Sequence, residues 1–105
     1  MQTTEREITE LEAKVLNVIP YGIENATQGY ILRQRLNGLS ERTFHDIIRS
    51  LRMKQYPIGA TRNIRQSGYF IMQNEEERER SLQGLRSQTQ SQLELIELIE
   101  NMKVG

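Results

Sequence analysis

At 105 residues the chain has the length of one domain, and 36% hydrophobic against 27% charged residues allow only a modest core, of the kind often completed by a second copy. The absence of cysteine excludes disulfides, zinc–thiolate sites and thiol nucleophiles, and neither an 18-residue apolar run nor an apolar N-terminal segment suggests a membrane span or secretion, so a cytoplasmic (bacterial cytoplasm or nucleoid) setting is expected. The formal net charge of zero conceals segregation: residues 33–65 hold eight bases against two acids, a surplus of +6, between flanking segments of −3 each.

The first helix is predicted to begin near Thr3 or Thr4, with Ile8, Leu11, Val15, Leu16 and Ile19 at helical spacing, and to end at Pro20-Tyr21-Gly22. After a loop over Ile23 to Ala26, Thr27 is positioned to cap a short second helix with apolar positions Tyr30, Ile31 and Leu36, stopped by Asn37-Gly38. Ser40 caps a third, in which Phe44, Ile47, Ile48 and Leu51 form the buried stripe, and which must stop before Pro57.

Pro57 to Thr61 and Gly68 to Met72 read as the strands of a hairpin whose tip, residues 62–67, is basic. On the second strand, alternation is expected to bury one of Tyr69 and Phe70. From Asn74 a helix of close to 30 residues runs to about Met102, its acidic start Glu75-Glu76-Glu77 lying in the favourable field of the first turn. The polar stretch 83–92 leaves open a linker between two shorter helices. Past it the helix is apolar around more than half its circumference, which a monomer surface does not satisfy.

No Gly-rich phosphate loop, zinc-spaced cluster or nucleophile–base pair is present, so no catalytic role, cofactor or metal is expected. The fold class expected is α+β, mostly α: three helices, a hairpin and a long last helix. Ser40-Glu41-Arg42-Thr43-Phe44, Ile48, Leu51-Arg52, Tyr56-Pro57-Ile58 and Gly68-Tyr69-Phe70-Ile71 together resemble the winged helix-turn-helix modules of the biotin-repressor type and similar small phage or mobile-element proteins. The likeness covers roughly residues 8–74; it departs from the family pattern at Ile47, where an aspartate is common.

The resemblance implies that the third helix is a recognition helix and the hairpin a wing. A helix in the major groove reads base edges from near its N-terminal end, which points to Arg42, Thr43, His45 and Asp46, with Arg42 suited to a paired contact with guanine. Arg49, Arg52 and Lys54 suit phosphates, Arg62, Asn63 and Arg65 an adjacent minor groove, and Gln28 and Tyr30 backbone positioning. The expected division is a DNA-binding domain over residues 1–74 and a dimerisation helix over 75–105, joined to its copy through Leu82, Leu85, Leu93, Ile96, Ile99 and Met102.

The expected function is a sequence-specific, homodimeric transcriptional regulator of repressor type on double-stranded DNA. The alternatives are a winged-helix module that binds protein through the acidic run Glu75 to Glu79, as a phage inhibitor or assembly adaptor would, and a replication accessory protein.

Overall fold

Thr9 starts the first helix, α1 (Glu10–Val18): its hydroxyl accepts a hydrogen bond from the Glu12 amide, and the Glu12 carboxylate accepts one from the Thr9 amide. This comes from a computed structural model describing residues 7–62 and 67–102. Thr3 and Thr4 lie outside those residues, and the helix starts later than the periodicity suggested because the reciprocal cap sits at Thr9 and Glu12. Val15 and Ile19 are buried, whereas Leu11, expected on the same stripe, is 40% exposed.

The connector after Pro20 makes a single 3-10 turn (Ile23–Asn25) that buries Ile23. α2 (Gly29–Gln34) follows, and here the expected cap fails. The Thr27 hydroxyl donates to the Asn25 carbonyl, and the Thr27 backbone is committed to the hairpin by a reciprocal pair of bonds with Tyr69, at 3.1 and 2.9 Å. Gln28 takes the N-cap position without a side-chain bond, and fully buried Leu32 anchors the helix while Tyr30 stands 54% exposed. Asn37 and Gly38, both at positive φ, end it as anticipated, the Gly38 amide donating to the Arg33 carbonyl.

Ser40 caps α3 (Glu41–Met53) by accepting from the Thr43 amide, and Phe44, Ile47, Ile48 and Leu51 are buried together as the spacing required. They meet Val15, Ile19, Leu32, Ile58 and Ile71 in one core. Each fully buried side chain of this kind stabilises the fold by about 1.5–3 kcal/mol.

β1 (Ile58–Arg62) and β2 (Ser67–Ile71) pair antiparallel, with Ile58 opposite Ile71 and Arg62 opposite Ser67, each strand one residue offset from its predicted span. Phe70 is fully buried on one face; Tyr69, on the other, is half-buried and meets the Phe44 ring edge-on at 5.5 Å. The free edge of β2 is taken by Tyr21 and Thr27. Gly68 makes this approach possible: at φ +132°, a Cβ there would lie 2.1 Å from the Thr27 carbonyl oxygen.

α4 (Glu75–Glu100) is one uninterrupted helix, so the polar stretch 83–92 is no linker. Asn74 caps it, accepting from the Glu77 amide. Two side chains fasten its first turns. The buried Glu77 carboxylate accepts from the amides of Ile23 (3.0 Å) and Gln73 (2.9 Å), and the buried Ser81 hydroxyl bridges the Ala60 amide and carbonyl on the outer edge of β1. No helix among the described residues is long and apolar enough to cross a membrane.

Candidate nucleic-acid interface

Helical spacing sorts the polar residues of α3 into three rows around its buried stripe. Arg42, Asp46, Arg49 and Met53 point directly away from the core and are all exposed, Met53 at 72%. Thr43, Ser50 and Lys54 share the flank that faces α1. His45 and Arg52 share the opposite flank, toward the hairpin, where Arg52 lies 6.0 Å from the Tyr69 ring centroid.

The α1 flank is occupied. Glu12, buried in α1, accepts hydrogen bonds from the Lys54 ammonium (2.8 Å) and the Ser50 hydroxyl as well as from the Thr9 amide. These bonds, that from Lys54 foremost, then those from Ser50 and the Thr9 amide, hold the carboxyl at about 2, below its ordinary 4.5, although burial pushes the other way. Lys54 is thus turned away from the surface where a phosphate contact was expected. Thr43 is half-buried and accepts a hydrogen bond from the Ser40 hydroxyl at 2.8 Å, so it serves the cap.

On the hairpin flank Arg52 donates through Nε to the Ile58 carbonyl at 2.9 Å, and partial burial lowers its pKa. One edge of the guanidinium is spent on structure. Arg52, Gln28 and Arg62 nevertheless line one open polar groove of about 570 Å³ between the start of α2, the end of α3 and the hairpin, together with Ser67 and Tyr69. Three side chains singled out on separate elements thereby meet. Gln28 donates to the Ser67 hydroxyl across this groove at 3.2 Å.

Among the described residues, Arg42, Arg49 and Arg62 form no ion pair and donate no side-chain hydrogen bond. Asn63 and Arg65 lie outside the described residues. Of the other bases in the middle segment, Arg33 reaches the Leu39 carbonyl and Arg35 lines a separate groove beside Leu11 and Lys14 of α1. The +6 segment therefore delivers Arg42 and Arg49 to the outward row of α3, and Arg52 and Arg62 to the groove beside the hairpin.

Two residues that shape the candidate site escape the sequence reading. Met53 completes the outward row at i+11 from Arg42, a spacing that was available to find it. Glu12 removes Lys54 from the surface, which only a contact across 42 positions reveals. No group of His, Cys, Asp and Glu among the described residues can hold a metal ion.

Fold and site together define a small, mostly helical α+β unit with unpaired arginines along one helix face and at the end of a hairpin strand. Compared with known protein families, curated proteins and solved structures, the chain finds no match.

Proposed function

We propose that the chain is a winged helix-turn-helix protein that binds double-stranded DNA in sequence-dependent fashion and acts as a homodimeric transcriptional regulator, without enzymatic activity. One observation carries this reading: in a chain of zero net charge, Arg42, Arg49 and Arg62, which have no partner among the described residues, lie on the outer row of α3 and at the strand end that shares a groove with Arg52. Polyanion binding needs such cations more than net charge, because affinity arises from neutralised phosphates.

In this arrangement α3 enters the major groove with Arg42, His45 and Asp46 nearest the base edges, and Arg49 contacts phosphate. Gln28, Tyr30, Arg52 and Arg62 hold the flanking backbone. The exposed apolar residues of α4, from Leu85 to Met102, support self-association. The protein-binding alternative loses part of its face, since Glu77 is buried and Glu75 is paired with Arg78 at 2.6 Å.

The test is binding to random-sequence and selected duplexes over a salt series. The expected result is a steep linear fall of log affinity with log salt. Arg42→Ala is expected to cost about 1–3 kcal/mol on the selected site with relaxed preference at one position, and Arg49→Ala a uniform loss with a slope reduced by about one. No binding at low salt would refute the reading, and a uniform loss for both variants would point instead to a shape-reading accessory protein.

A further inference from the structure

The face of α4 that carries Glu77 and Ser81 into the body continues at helical spacing through Leu85, Gln92, Ile96 and Ile99. α4 packs on β1, and past its first turns the helix is exposed all round: Leu93, Leu95, Ile96, Leu98, Ile99 and Met102 are each 54–58% exposed. Near the other end, a groove of about 410 Å³ is lined by Tyr56, Met72, Leu82 and Leu85, with Arg52 and Arg78 also on its walls. One helix thus offers an uncovered apolar ridge at its far end and an unfilled, arginine-bordered apolar groove beside its near end.

We propose that α4 pairs antiparallel with α4 of a second copy, setting Leu82 against Ile99, Leu85 against Ile96 and Thr89 against Gln92 of the other chain. The inference rests on the self-association part of the proposed function and adds its direction and register. Positions 82, 85, 89, 92, 96 and 99 alternate steps of three and four, the spacing of a coiled-coil seam. Reversing the second helix about a point between 90 and 91 maps the seam onto itself. The two apolar ends then cover each other's Leu82 and Leu85, and the polar residues Thr89 and Gln92 meet in the middle, where a mismatch in register would bury them against leucine or isoleucine.

Shape selects the direction. Parallel pairing sets ridge against ridge and groove against groove, leaving the space lined by Tyr56, Met72, Leu82 and Leu85 uncovered. Antiparallel pairing brings the Ile96 and Ile99 end of each helix over Leu82 and Leu85 of the other, at the mouth of that groove. Glu94 and Glu97 lie on the far side of the helix from the seam and take no part in the choice.

The chain has no cysteine, so introduced thiols report pairing without background. Full-length Leu85→Cys and Ile96→Cys, both at exposed positions, are prepared reduced, oxidised separately and as a mixture, and resolved without reductant, with wild-type sedimentation alongside. The proposal expects a disulfide-linked dimer from the mixture and none from either variant alone. Cross-linking of Ile96→Cys by itself would establish parallel pairing and overturn the direction. A sedimenting dimer with no cross-link in any sample would overturn the register, and a wild-type monomer would overturn the pairing and the homodimer together. None of these readouts depends on DNA, so the DNA-binding reading stands or falls separately.

Discussion

Glu12 is a buried carboxylate that ties α1 to the end of α3 through Lys54 and Ser50. Because its folded pKa of about 2 lies below the ordinary 4.5, its ionised form is favoured by folding. That contribution is complete above about pH 4.5 and disappears as the pH falls through the interval toward 2. Urea denaturation from pH 7 downward should therefore show this loss of stability beginning below pH 5. In Glu12→Gln the corresponding part of the acid sensitivity should be missing, with stability at pH 7 lower by about 1–3 kcal/mol because Lys54 loses its buried counter-ion and one of the two accepting oxygens becomes a donor. An unchanged acid limb in the variant would show that another carboxylate controls it.

At the scale of elements, the hairpin is held from both sides: β2 by the connector at Thr27 and Tyr21, β1 by Ser81 of α4. Ser81→Ala leaves the Ala60 amide and carbonyl without that partner and should destabilise the protein by about 1–3 kcal/mol in thermal or urea unfolding, while leaving α4 helical by circular dichroism. A silent substitution would mean that water replaces the hydroxyl at little cost.

The elements themselves were largely legible, because each carries its own local signal. Phe44, Ile47, Ile48 and Leu51 mark the buried side of α3, and Ser40 and Asn74 mark two helix starts. The Thr27 cap was misread because its backbone pairs with Tyr69, 42 positions away, a competition invisible to local pattern. Leu32 was missed in a helix of six residues, too short for periodicity to decide the phase. In the candidate site, the outward row of α3 followed from spacing alone, whereas the loss of Lys54 to Glu12 required the tertiary contact.

On the scale of the whole molecule, the packed body does not stop where the hairpin does. Glu77 and Ser81 belong to it, and the α4 residues past Leu85 extend from it as an arm. A chain ending at residue 86 should unfold cooperatively and sediment as a monomer. A chain ending at 74 leaves the Ile23 and Gln73 amides without the Glu77 carboxylate and should lose most of its cooperative transition, as read by differential scanning calorimetry and sedimentation. Equal stability of the two fragments would show that the first turns of α4 contribute nothing to the body.

The same fastening has a mechanical consequence. Only Met72, Gln73 and Asn74 separate β2 from α4, and the first turns of the helix are bonded to backbone at three places, so the arm lacks a hinge at its root. The whole helix, 26 residues and about 39 Å long, turns as one piece with the body, and the arm is its lever. Two such bodies joined through their levers would hold a fixed angular phase. One base pair inserted between paired half-sites turns one relative to the other by about 35°, a twist that the duplex would have to absorb because neither lever has a joint at its root in which to take it up.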